Sequence, residues 1–448
     1  MTQSIQDLSD RLLAAARHAG AGSADAIVVR GTSVNIDVRA GVLEQAERSE
    51  GTDMGLRVFL GQRSATVSAS DTSDRTIEEM AQRAVAMAGE APEDPFCGLA
   101  DPSQLSPGID IDALELADPT PEPSPAALQD DAVAAEEAAL EVAGITQVQS
   151  ASAGYSAREI FLAASNGFSG GYKRTDRGLS CVAIAGTGSG MERDYDADSR
   201  IFQADLRGAA DIGRQAAERT LARLEARKPP TGSFPVLFDE RISSSLIGHL
   251  LAAVNGSSVA RGASWLRDAL GQQVLPDGLS LLEQPHRPRT PGSRPFDAEG
   301  LPTQARTIVD NGTLTGWTLD LSTGRKLGMP STGNASRGTS SAPSPGTSNV
   351  TLTPGTASRD DLIRDMGTGL LVTSMIGSTI NPNTGDYSRG AAGLWIENGE
   401  ITGAINECTI AGNLRDMLMS VVPANDAREH LSRRVPSLLV SGMTLAGN

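Results

Sequence analysis

The sequence predicts an α+β protein: N-terminal and central α/β blocks with antiparallel sheets and flanking helices, then a mainly antiparallel β domain. Three observations carry this. Helical periodicity brackets alternating, strand-like stretches twice before residue 230. Pro229-Pro230 then closes the second block, because proline cannot continue a helix. Beyond it the chain turns to short apolar runs separated by Gly, Ser, Thr, Asn and Pro, the pattern of strands joined by turns.

The first element is a helix with Leu8, Leu12, Leu13 and Ala16 on one face; Asp7 or Ser9 can cap it, and Gly20 and Gly22 end it. Alternating strands follow, turning at Gly31, Gly41, Gly51 and Gly61. A second helix opens at Ser73 or Asp74 and carries Ile77, Met80, Ala81 and Ala84. This gives an N-terminal domain over 1–92. Residues 93–126, rich in proline and aspartate, read as a linker region. The central domain, 127–230, repeats the plan: the helix "ALQDDAVAAEEAALEVAG", strands over 145–207, and the long helix "AADIGRQAAERTLARLEARK". The β-rich domain spans 231–448. Within it, 324–358 is too polar to pack a core and reads as long loops, and Asn398-Gly399 marks a hairpin tip.

Composition narrows the function. With 38 Lys+Arg against 55 Asp+Glu the net charge is −17, which disfavours direct binding to nucleic acid, where cations must neutralise phosphates. Cys97, Cys181 and Cys408 lie far apart with no CxxC pair, against a zinc ribbon or a disulfide framework and for a reducing compartment. The first 20 residues lack the pattern of a signal peptide, and no apolar run is long enough to span a membrane. A cytoplasmic location is expected.

Few motifs carry chemistry. A hydrolytic zinc site needs imidazoles on a helix and a carboxylate to take a proton from the bound water. The chain has four histidines, His18, His249, His286 and His430, and "SSLIGHLLAAV" (244–254) holds only His249. Alone on an apolar helix, His249 reads as a partly buried structural residue. "DYDADSRIFQAD" puts Asp194, Asp196, Asp198 and Asp205 at calcium-loop positions, but Ser199 replaces the turn glycine and the flanks look like strands; a solvated acidic strand fits better. "GTGSG" (186–190) has no helix after it and reads as a hairpin turn rather than a dinucleotide loop. No G-x-S-x-G nucleophile turn is present. The polar loop "NPNTGDYSRG" is different: Asp386, Tyr387, Ser388 and Arg389 could bind peptide backbone, or Asp386 and Arg389 could simply satisfy each other in a tight turn.

"NPNTGDYSRGAAGLWIENGEITGAINECTIAGNLRDML" closely resembles the C-terminal signature of the TldD/PmbA family, the modulator-of-gyrase peptidases. "NGSSVARGASWL", "DNGTLTGWTLDLSTGRKLG" and "STGNASRG" are similar to it too, so the resemblance covers essentially the whole chain. It implies a heterodimer of two branches. TldD-type subunits carry zinc on an H-E-x-x-x-H helix, completed by a C-terminal cysteine, and the complex cleaves unfolded peptides, in peptide-precursor maturation and antitoxin degradation. The PmbA/TldE branch has the fold without the metal motif. Aligning "VARGASWL" (259–266) without gaps puts the two histidine positions at Ile247 and Ala252 and the glutamate at Gly248, with His249 two residues out of register. The cysteine position falls in "EHLSRR", and Cys408 belongs to a different motif, before "TIAGN".

The resemblance therefore implies a PmbA/TldE-type subunit with no metal or cofactor of its own and no catalysis alone. Zinc is expected in a TldD-type partner. Asp386, Tyr387, Ser388, Arg389 and Asn413 are the expected peptide-binding or interface residues. The loops 324–358 and 382–390 are expected to line the shared space or the partner interface. Two alternatives stand: an autonomous metallopeptidase using His249, Cys408 or His430, and a non-enzymatic protein-binding regulator of gyrase or an antitoxin.

Overall fold

The computed structural model describes residues 4–447, and of Ser378 only the backbone. Helix α1 (Ile5–His18) is capped by Ser4, whose hydroxyl accepts from Asp7 N at 3.1 Å. The cap thus lies before the expected Asp7 or Ser9. Helix α2 (Asp74–Glu90) is capped by Ser73 as expected.

Strands β1 (Ser23–Arg39), β2 (Val42–Leu60), β3 (Arg63–Ala69), β4 (Ile145–Ala164), β5 (Ser169–Ala185) and β6 (Glu192–Arg200) form one antiparallel sheet, ordered β3-β2-β1-β4-β5-β6. The N-terminal and central blocks therefore share a sheet. Its continuity comes from β1 and β4, which pair from Asp25↔Ala164 to Val38↔Ala151. Two apolar cores sit on it. Leu8 and Leu12 of α1 and Met80 of α2 pack on Val28, Met54 and Leu56. Helices α3 (Pro125–Leu140) and α4 (Ala209–Leu221) pack on Val34, Ile36 and Leu179. Helix α4 ends at Leu221, eight residues before Pro229, and Arg227 beyond it donates its N–H to Ala404 O at 3.0 Å. The glycines of "GTGSG" do form the turn joining β5 to β6.

After β7 (Gly232–Phe238) comes α5 (Glu240–Ala253), capped by Asp239, and then α6 (Gly256–Ala260). Strands β8 (Leu281–Glu283), β9 (Arg306–Asp310) and β10 (Thr313–Leu314) precede α7 (Leu321–Leu327) and the small β11 (Ala335–Ser336) and β12 (Ser344–Pro345) pair. Then follow β13 (Val350–Leu352), α8 (Arg359–Met366), β14 (Gly369–Ile380), β15 (Asp386–Glu397), β16 (Glu400–Asn413), α9 (Leu414–Met419), β17 (Val422–Pro423), β18 (Arg433–Arg434) and β19 (Leu438–Ala446). Strands β16-β15-β14-β7-β19 close into a ring, since Thr409–Ala411 pair with Thr444–Ala446. The β7–β14 pair is parallel, the other ring pairs antiparallel. A second sheet, β10-β9-β8-β13-β18, shares one core with the barrel and α5, joining Phe238, Leu246, Leu250, Leu281, Ile308 and Val372. The β15–β16 tip is Asn398-Gly399 as expected, both at positive φ, as a two-residue hairpin demands.

The polar run 324–358 is not simply surface loop. Asn334, Ala335, Ser348 and Asn349 are buried. Glu283 organises them: its Oε1 accepts from Asn334 Nδ2 at 2.8 Å and from Ser348 N at 2.5 Å, while Arg306 pairs with its Oε2 at 2.7 Å. Buried polar groups need such partners, and here the polar side chains supply them to one another. No helix among the described residues is long and apolar enough to cross a membrane.

Candidate functional site

Helix α5 runs between barrel and second sheet, so its side chains divide by face. Leu246, Ile247 and Leu250 are fully buried in the core, whereas Ser244, Ser245, Gly248 and His249 are only partly buried and Ala252 is exposed. Ile247, Gly248 and Ala252, the three positions expected to correspond to ligands and base, are therefore not brought together: one is core and one is surface.

The structure instead brings His249 to the start of β15: residues 386–389, expected in a polar loop, are strand, paired with β14 and β16. Its ring stands edge-to-face on Tyr387, with centroids 5.9 Å apart and planes at 75°. Burial, and then the cationic Arg389, hold the imidazole below its usual proton affinity. Its Nε2 is buried with no hydrogen-bond partner, and so is Oγ of Ser245, one turn earlier on the helix. The guanidinium of Arg433 lies over Gly248, where a Cβ would meet its Nη1 at 3.1 Å.

Tyr387 is buried and donates its hydroxyl to Sδ of Met375 at 3.3 Å; burial pushes its pKa up to about 12 against the pull of Arg389, so the phenol stays neutral. Successive strand residues face opposite sides, so Tyr387 and Arg389 turn one way and Asp386 and Ser388 the other. Asp386 does not pair with Arg389. It accepts from Thr384 Oγ1 at 2.6 Å and Asn413 Nδ2 at 3.1 Å, bonds that lower its pKa. Asn413 also caps α9, accepting from Arg415 N at 3.0 Å. Arg389 donates from Nε to Gly377 O at 2.8 Å and has no carboxylate partner among the described residues. Ser388 is half-buried within β15 and apart from His249.

These residues do not fit a zinc ion. One imidazole, two hydroxyls and flanking guanidinium groups offer neither a second imidazole nor an anionic ligand. Cys408 is elsewhere, its thiol buried against Ala391 O and pushed up to about 11. His430 lies 3.3 Å from Asp198. Among the described residues no three His, Cys, Asp or Glu side chains cluster to hold a metal.

The acidic stretch on β6 is also not solvated. Asp194, Asp196 and Asp198 alternate onto one buried face, where each meets arginine: Arg241 at 3.0 Å, Arg207 at 2.6 Å and Arg219 at 2.5 Å, and Arg200 at 3.0 Å. Asp205 turns away to Arg289. Burial opposes ionisation of Asp198, but hydrogen bonds from His430, Arg207 N and Arg200 bring its pKa down to about 2. The i, i+2, i+4 spacing of the aspartates was the signal for a single strand face; their arginines are scattered from 200 to 241 and gave none. Beside this ladder lies a cavity of about 880 Å³. Met191 and Tyr195 of the central domain line it, with Met375 and Ile376 of β14 opposite.

The molecule is built in three parts: a six-stranded sheet carrying two helix pairs, each with its own core, and a closed barrel that shares its core with α5 and a second sheet. Its parts match the PmbA/TldA metallopeptidase domain 1 over residues 24–88, the central domain over 118–224 and the C-terminal domain over 231–447. The chain is 36% identical over 426 residues to Metalloprotease PmbA of Escherichia coli O157:H7, covering 95% of this chain and 92% of the relative. It is 36% identical over 439 residues to the PmbA homologue of Haemophilus influenzae, covering 97% and 94%. A crystal structure from Bacteroides thetaiotaomicron, described as a modulator of DNA gyrase, superposes with TM-score 0.91 at 28% identity over 99% of both chains. TldE from Thermococcus kodakarensis shares the fold, with TM-score 0.84 at 20% identity over 98% of this chain and 99% of that one. The chain belongs to the PmbA/TldD metallopeptidase family.

Proposed function

We propose that this chain is the zinc-free, PmbA/TldE-type subunit of a two-subunit cytoplasmic metalloprotease that cleaves unfolded peptides. A TldD-type partner supplies zinc and the catalytic base. The carrying observation is the partly buried face of α5. On that face His249 is the only imidazole, joined by the hydroxyls of Ser244 and Ser245, so it offers neither the second imidazole nor the carboxylate that a zinc-hydrolytic helix needs. Similarity to proteins named PmbA along nearly the full chain supports the same branch. The cavity beside β14, with Met191, Tyr195 and Ile376 exposed around it, offers apolar surface to an extended peptide without a deep specificity pocket.

Purified alone, the chain is expected to hold substoichiometric zinc and to leave unfolded peptides intact. Co-purified with the TldD-type chain of its organism, it should form a complex whose peptidase activity exceeds that of either chain. Stoichiometric zinc with EDTA-sensitive cleavage by this chain alone would overturn the reading.

A further inference from the structure

We propose that Ser245, His249, Arg389 and Arg433 form a site for the C-terminal carboxylate of a peptide. The inference rests on the peptide-handling role above and adds to it which end of the peptide this subunit holds.

Two buried polar atoms on one helix face, Oγ of Ser245 and Nε2 of His249, lack any hydrogen-bond partner. Such groups cost free energy unless something satisfies them. Two guanidinium groups flank them. The exposed Arg433 lies over Gly248 and makes no ion pair among the described residues; Arg389 adjoins the His249–Tyr387 pair and, with Nε spent on Gly377 O, meets no carboxylate. Most buried or half-buried arginines here are matched: Arg57, Arg207, Arg219, Arg241 and Arg306 all meet acids. In a chain of net charge −17, cations left without acids beside unsatisfied polar atoms call for an anion from outside.

Position selects a peptide end over a free ion. Met375, whose sulfur receives the Tyr387 hydroxyl, also lines the 880 Å³ cavity, and Arg389 binds the backbone at Gly377, next to the exposed Ile376. An apolar peptide body in the cavity would thus lead to the cationic group. Neutral Tyr387 adds no competing negative charge.

The test is binding to the isolated full chain of one apolar heptapeptide, as free acid and as C-terminal amide, followed by fluorescence anisotropy, with inorganic phosphate as competitor. The free acid is expected to bind roughly tenfold or more tighter than the amide, as a charge-assisted contact predicts. Arg389→Gln and, separately, the exposed Arg433→Gln should each reduce that preference, and millimolar phosphate should not displace the peptide. Equal binding of acid and amide, or an unchanged preference in both variants, would overturn the inference. So would full displacement by phosphate, which would mark a general anion site. Because no cleavage is measured, failure here leaves the subunit role to be judged by zinc content and complex activity.

Discussion

At Glu299 the fold seals a carboxyl away from water beside two others, Asp297 and Asp320. Burial, then the Asp297 carboxylate, push its pKa up to about 8, with Arg57 and the Leu321 N–H opposing. An unfolded glutamate titrates near 4.5. The folded state therefore keeps a proton that the unfolded chain releases between these values. Its stabilising effect is complete below about pH 4.5 and is lost as pH rises through about 8. Urea denaturation of Glu299→Gln should show a flatter pH profile and about 1–3 kcal/mol more stability than the parent at pH 9. An identical pH slope in both proteins would contradict this. Asp25 has the opposite sign: burial opposes its ionisation, but Arg337 and Arg57 lower its pKa overall, so its contribution is present at neutral pH and fails only in acid.

Among the elements, the α3–α4 pair depends on small residues. Ala132, Ala135, Ala139, Ala216 and Ala217 let the two helices approach closely, and a Cβ on Gly213 would stand 2.0 Å from the carbonyl oxygen of Ala135. That atom is backbone and cannot swing aside. Gly213→Ala gains about 1 kcal/mol of helix propensity but forces the helices apart, at about 1–3 kcal/mol or more. A net loss is expected in thermal unfolding. Gly89→Ala in α2, where nothing lies within 4 Å, is the matched control and should be neutral or stabilising.

For the whole molecule, polar struts fasten the N-terminal sheet to the β-rich domain. Arg337, from the polar run after α7, reaches the buried Asp25–Arg57 pair, in which Arg57 Nε donates to Asp25 at 2.9 Å. Gly55 lets the Thr339 backbone lie against β2, where a Cβ would meet its carbonyl oxygen at 2.1 Å. Arg325 donates to the carbonyls of Phe96, Gly98 and Leu99, which ties down the proline-rich linker. Arg241 of α5 meets Asp194 of β6. Asp25→Asn leaves two buried guanidinium groups short of a counter-charge and should cost about 3–5 kcal/mol by denaturation. It should also expose the 337–343 loop to limited proteolysis; unchanged cleavage would count against this strut.

The sequence by itself determined the class of fold, the helix–strands–helix plan of the first two blocks, the β15–β16 tip and the family, because these rest on local periodicity, turn chemistry and contiguous motifs; Gly31 and Gly51, expected at turns, instead pair inside β1 and β2. Residues 386–389 were legible as a polar stretch for the same reason, though as a loop rather than the start of β15. Tertiary structure alone decided that the first two blocks share one sheet, that Arg389 lies near His249 while Asp386 binds Asn413, and that Arg433 lies over Gly248 of the helix carrying Ser245 and His249. It also decided that the β6 aspartates are buried against arginines and that Ile247 belongs to the core. Each of these depends on which face of an element is turned inward and on partners tens to hundreds of residues away. Spacing along the chain carries no record of either.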